Sequence, residues 1–169
     1  MSNFQVPKGW PGILGAANCA LHWLTKIAGM AAPLFLRVAL ALPFFKSGLT
    51  KWDGFLSLAP TASFLFEEEF KLHILGKVYD LPAPDVLAFA SGSAEIIFPI
   101  LLIFGLGTRL SALGLLGMTA VIQLIVPDGW ANFHLPWATM AIALIAIGPG
   151  QLSLDHWIRG LLKRQQASA

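Results

Sequence analysis

Residues 86–106, VLAFASGSAEIIFPILLIFGL, form an unbroken apolar run except for one charge, Glu95. No other charged residue lies within eight positions of it on either side. A bilayer-spanning helix needs about 20 apolar residues, so this run is long enough to cross. A second apolar run, between Ala28 and Phe45, carries Arg37 in a similar place. Charges at membrane depth are rare and costly, and they mark functional positions by default.

Composition supports the membrane reading. Of 169 residues, 56% are hydrophobic and only 12% charged, and the mean hydropathy is +0.71. A soluble domain carries about 25% charged residues, and half that fraction cannot cover a surface facing water. The length fits one domain, residues 1–169. The net charge of +2 gives no reason to expect a nucleic-acid partner. With Cys19 as the one cysteine, no intramolecular disulfide can form. The first twelve residues lack a basic region leading into an apolar core, so no cleaved secretory signal is expected.

The fold class expected is an all-α membrane protein, a bundle of four transmembrane helices with amphipathic interfacial helices at both ends. The spans are placed at 30–50, 84–106, 109–127 and 134–149, the last one short. Pro33, Pro43 and Pro99 fall inside spans, where neighbouring helices satisfy the carbonyls they free. Small residues, among them Ala112, Gly114 and Gly117, allow close helix approach. Before the first span, apolar positions recur with helical spacing at Ile13, Ala17, Ala20, Leu21, Leu24, Ile27 and Ala28, which places an interfacial helix within residues 1–29. After Gly148-Pro149-Gly150, Ser153 fits an N-cap. Leu154, Trp157, Ile158, Leu161 and Leu162 then form a stripe, with Arg159, Lys163 and Arg164 off it. A second interfacial helix is expected over 153–164.

Loop charges set the expected orientation. Lys8, Lys26, Arg109, Arg159, Lys163 and Arg164 share one side, against Lys51, Lys71 and Lys77 on the other. The chain is therefore expected in a bacterial inner membrane, multi-pass, with both termini cytoplasmic. The outer loop, 51–83, flanks Glu67-Glu68-Glu69 with apolar residues, so it is expected to pack down as a short helix over the bundle.

Arg37 and Glu95 are the candidate catalytic pair. Counting along their helices puts them about 10 Å and about 16 Å from the inner edge, an offset an arginine side chain spans. They read either as an ion pair fixing helix packing or as a proton or ligand relay. Lys51 reads as snorkelling to the interface, and Lys46, deeper, as a partner for outer-loop carboxylates. His134, Gln123, Tyr79 and Lys46 are the candidate ligand-binding set. A quinone head group needs donors for two carbonyls and an aromatic or aliphatic wall, which these residue types supply. The competing reading is an interfacial belt of histidine and tryptophan. No Cys-x-x-Cys or His-x-x-x-His is present, so no metal site is expected.

The chain resembles the DoxX-like membrane proteins over about residues 33–156. The shared pieces are Leu36-Arg37, Phe44 to Gly48 with Lys51, Glu95, Gly105-Leu106-Gly107-Thr108-Arg109, and Gly148-Pro149-Gly150 to Ser153-Leu154-Asp155. The resemblance implies a four-helix membrane bundle with cytoplasmic ends. It also implies membrane subunits of thiosulfate:quinone oxidoreductases, members of oxidative-stress complexes, or companions of copper-handling peptide systems. The stretch from Phe66-Glu67-Glu68 to His134 and Trp137 is most similar to the last group. Two readings follow. One is a quinone-interacting redox accessory to another protein, with Glu95 handling the proton, Arg37 setting its titration, and His134, Gln123 and Tyr79 lining the site. The other is a non-enzymatic membrane partner in processing or export of a small metal-binding peptide in copper stress. A small transporter is a third, and it would need a dimer to form a path. The expected partners are the lipid bilayer, a protein subunit or peptide, and a further copy of the chain.

Overall fold

A computed structural model of the chain describes residues 12–167. Four of its helical segments are long and apolar enough to cross a bilayer: Gly15–Leu49, Pro84–Phe104, Thr108–Ile125 and Pro127–Ile147. The first belongs to α1, Gly12–Leu49, which runs through Pro33 and Pro43 without a break. The expected division between an interfacial helix ending at 29 and a span starting at 30 is therefore corrected. The helical spacing of Ala17 to Ala28 and the hydropathy from Met30 onward belong to one helix, and no helix-stopping residue separates them. Residues 1–11 of that expected element lie outside the described residues.

After α1 come β1 (Trp52–Gly54) and β2 (Ser57–Leu58), a short antiparallel hairpin. The short helix α2 (Pro60–Phe64) continues into a π turn, Leu65–Glu69. A second hairpin follows, β3 (Lys71–Ile74) and β4 (Lys77–Asp80). The outer loop thus packs down as a helix over the bundle, as its apolar content requires, with two hairpins added. Then come α3 (Pro84–Phe104) and α4 (Thr108–Ile125). A 3-10 turn (Pro127–Gly129) and a π turn (Trp130–His134) lead into α5 (Leu135–Ile147), and α6 (Leu154–Ala167) closes the chain. The fourth span starts at Pro127, not at 134, because these two turns run directly into α5 and lengthen the helical segment to 21 residues.

α1 packs on α3 and α5, and α4 on α3 and α5, so the four long helices close a ring. Leu40, Phe44, Leu102, Leu115 and Leu144 fill its centre, together with fully buried Ala41, Ala112 and Ala141. A second cluster of Phe66, Leu81 and Ala88 seats the π turn on α3. The end of the bundle carrying residues 50–83 is the lid end. The opposite end, where α3 turns into α4 and α5 into α6, is the terminal end. Ser153 does cap α6, accepting a hydrogen bond from the His156 N–H at 3.2 Å. The stripe from Leu154 to Leu162 is exposed.

Candidate functional site

Inside the lid-end half of the ring lies a cleft of about 510 Å³. Phe44 of α1, Leu87 of α3, Met118, Val121, Ile122 and Ile125 of α4, and Trp137 of α5 form its walls, and Phe66, Phe70 and Leu81 roof it. Gly117 also faces the cleft and has open space where a side chain would stand. Among the described residues on the lining, Ser47, Lys51, Ser91 and Glu95 carry the polar groups besides the Trp137 indole N–H.

Those four form one connected group. Lys51 Nζ lies 2.6 Å from Glu95 Oε2, in an ion pair whose side chains are 12% and 4% exposed. Lys51 also donates to Ser47 Oγ at 3.1 Å, and the Ser91 hydroxyl donates to Glu95 Oε1 at 3.0 Å. An ammonium group has three hydrogens, and among the described residues two are engaged here. The group exists because α1 and α3 touch at this level. A Cβ on Gly48 would stand 2.9 Å from Glu95 Cβ and 3.0 Å from the Glu95 carbonyl, so any larger residue would push the helices apart.

Glu95 therefore pairs with Lys51, and the expected Arg37–Glu95 pair is corrected. Arg37 is buried at the terminal end, where its guanidinium lies against Gly105. Glu95 is ten residues further along α3, about 15 Å away along the helix axis. Arg37 Nε donates to the Pro33 carbonyl at 3.3 Å, Nη1 to Ile103 at 3.3 Å, and Nη2 to Leu152. It ties α1, the end of α3 and the approach to α6 into one node. The shared Ser-Gly-x-x-charge pattern, Ser47-Gly48-x-x-Lys51 and Ser91-Gly92-x-x-Glu95, is the signal for the true pair. In each, serine and charge are four residues apart, about one helical turn, with a glycine between: Gly48 admits α3 at Glu95, and Gly92 admits the Trp52 ring and the Lys51 stem.

The Arg37 node is completed by Asp155. Its Oδ1 accepts from the Gly107 N–H at 2.8 Å and its Oδ2 from the Thr108 N–H at 2.9 Å. The first free N–H groups of α4 are thus capped by a carboxylate from α6, which also favours the positive end of the helix dipole. Burial alone would push this carboxyl up; the N–H groups of Thr108 and Gly107, and then Arg159, outweigh it and hold it below the ordinary carboxylate range. The folded state binds this proton less readily than the unfolded chain, whose carboxyl titrates near pH 3.9. The stability it contributes is complete above about pH 5 and fades as pH falls through and below that value. Asp155→Asn is expected to cost about 1–2 kcal/mol at pH 7. Thermal unfolding should show its gap from wild type closing towards pH 3; a gap constant with pH would refute the capping role.

The expected ligand-binding set divides. His134 and Gln123 do meet: His134 Nδ1 donates to Gln123 Oε1 at 2.6 Å, while Gln123 Nε2 donates to the Pro127 carbonyl at 3.0 Å. Neither lines the cleft. His134 packs on Trp137, ring centroids 5.5 Å apart, and Trp137 itself lines the cleft. Tyr79 is exposed on β4, paired with Leu72 across the hairpin, and Lys46 is exposed on α1. Lys51, expected to snorkel to the interface, pairs instead with Glu95. Lys51 sits beyond the end of α1, yet α1 ends well below the start of α3, so its ammonium reaches Glu95. Among the described residues no group of three or more His, Cys, Asp or Glu is placed to hold a metal.

Four apolar spans closed into a ring, with an ion pair in an internal cleft, define a multi-pass membrane protein. The chain matches the DoxX family over residues 32–128, more than half its length, and it belongs to that family. The matched stretch takes in Arg37, Lys51, Glu95 and the Gly105–Arg109 turn; His134 and Asp155 lie beyond it. A Haemophilus influenzae protein, described as uncharacterized, is 33% identical over 141 residues, which cover 75% of this chain and 82% of that one. No solved structure matches.

Proposed function

We propose that this DoxX-family protein holds a long-tailed quinone in the lid-end cleft and serves as a membrane redox accessory to another protein. The observation that carries the reading is the connected polar group, Ser47-Lys51-Glu95-Ser91, on the wall of a largely apolar cleft. Its volume falls in the range of ligand pockets, about 300–1,000 Å³. The ion pair has no net charge, so it suits a neutral head group with carbonyls better than a charged one. The third Lys51 hydrogen would bind one carbonyl, and the Glu95 carboxylate would hold or release a proton beside it. Phe44, Phe66, Phe70 and Trp137 supply flat walls for a ring. A bound quinone would supply two-electron redox chemistry that these side chains lack. The orientation read from loop charges would put the cleft on the outer side of a bacterial inner membrane.

The test is mass spectrometry of an organic extract of the purified protein. Near-stoichiometric quinone is expected in wild type, with a loss of tenfold or more, about 1.4 kcal/mol of affinity, in Glu95→Gln and Lys51→Met. His134→Ala should retain it, since that ring does not line the cleft. Ordinary phospholipid without quinone in wild type would overturn the reading. Co-purification of a small metal-binding peptide would then favour the non-enzymatic role.

A further inference from the structure

The two hairpins at the lid end share an unusual tip. In the first, Phe55 is 95% and Leu56 60% exposed, with Leu56 at φ +56°. In the second, Leu75 is 98% exposed at φ +50°, followed by Gly76 at φ +76°. Both central residues of this two-residue turn have positive φ, a turn in which asparagine or aspartate normally precedes the glycine. Leucine there is unfavourable for the backbone and, in water, unfavourable for the side chain. The same double disadvantage at two tips of one chain points to an apolar surrounding for both.

Their position says which one. Trp52, at the base of the first hairpin, packs edge-on to Phe89 with centroids 5.2 Å apart, and its ring lies where a Cβ on Gly92 would meet it at 3.0 Å. Phe89 and Gly92 are five and eight residues into a bilayer-crossing helix, about 8 and 12 Å. The second hairpin is held to the last turn of α4 by His73, whose Nδ1 donates to the Leu124 carbonyl at 3.2 Å. The first hairpin therefore stands beside a span, and the second is held against the end of one. Charges flank both tips: Asp53 is exposed in the first, and in the second Lys77, exposed, follows the tip glycine while Lys71 pairs with Asp80 at 2.8 Å at the base. Apolar tips flanked by charges whose long stems can reach the headgroups suit the headgroup–acyl boundary.

We propose that the hairpin tips, Phe55-Leu56 and Leu75, are interfacial anchors inserted into the bilayer leaflet at the lid end. Between them lies the segment that places Phe66 and Phe70 over the cleft, so the anchors fix the roof in position. The proposal does not depend on what the cleft binds.

The experiment labels single cysteines with a fluorophore in a Cys19→Ser background, in phosphatidylcholine–phosphatidylglycerol proteoliposomes. Phe55→Cys, Leu56→Cys and Leu75→Cys are compared with Ile97→Cys, on the lipid-facing side of α3, and Glu68→Cys, exposed on the lid. Acyl-chain brominated lipid is expected to quench the tip labels as it does position 97, and aqueous iodide to quench them less than position 68. Tip labels that behave like position 68 with both quenchers would overturn the proposal. Leu56→Cys keeps the first hairpin testable if Phe55→Cys does not fold.

Discussion

Gly105→Ala is expected to leave little folded protein, while Gly107→Ala, two residues away, should fold. Gly105 ends α3 at φ +69°. The Leu106 N–H donates to the Leu101 carbonyl at 2.9 Å and the Gly105 N–H to Leu102 at 3.1 Å, the paired bonds of a Schellman ending. An alanine in this conformation costs about 1–2 kcal/mol. Its Cβ would also fall on the Arg37 guanidinium and on Ser153 Cβ. The guanidinium would have to leave, losing three bonds to carbonyls worth about 1.5–3 kcal/mol each for a charged donor. The sum exceeds the 4–5 kcal/mol that marks an exceptional substitution. Gly107 has φ +57° but nothing within 4 Å of a Cβ, and its N–H to Asp155 survives in alanine. Only the conformational term applies, and a fall in Tm of roughly 2–8 °C is expected. Fluorescence size-exclusion profiles and thermal shifts would separate the two variants. Similar behaviour of both would show that the Arg37 node does not hold the terminal end together.

The second and third spans were legible because helix and hydropathy coincide there: one charge between Val86 and Leu106, and turns at Gly105-Gly107 and Pro127. The Gly148-Pro149-Gly150 stop and the Ser153 cap were legible for the same reason, since each acts through its own backbone. What sequence did not disclose is depth. Arg37 and Glu95 sit at similar places within their apolar runs, and counting from the run ends put them within reach of each other. The real levels depend on how far α1 continues past Met30 and on where it stops relative to α3, which are properties of packing. The hairpins were hidden because strands of two to four residues cannot display an alternating pattern, and because Leu75-Gly76 lacks the asparagine that signals such a turn. His134 and Gln123 meet each other but do not line the cleft, because which side chains face a cavity depends on packing that residue type and spacing do not disclose.

Lys51→Met is expected to be the most damaging change in the cleft, and pairing it with Glu95→Leu should restore most of the loss. Removing one partner of a buried ion pair typically costs 3–5 kcal/mol, because the other charge is left uncompensated, whereas replacing both by apolar residues is often neutral. Glu95 is the more buried partner, and without Lys51 its carboxylate keeps only the Ser91 hydroxyl. A fall in Tm of roughly 6–20 °C is expected. Glu95→Gln should be milder, about 1–2 kcal/mol, since the amide oxygen still accepts from Lys51 and the ammonium retains Ser47. Thermal unfolding in detergent of the two singles and the double, Lys51→Met with Glu95→Leu, measures the coupling. No loss in Lys51→Met would mean the pair is not formed. The same proteins decide what the pair is for. A double variant as stable as wild type that no longer retains ligand would make the pair a working group that costs the fold stability when broken. A double variant that is stable and still retains ligand would leave it a clamp between α1 and α3, and the cleft's chemistry would then rest on its apolar walls alone.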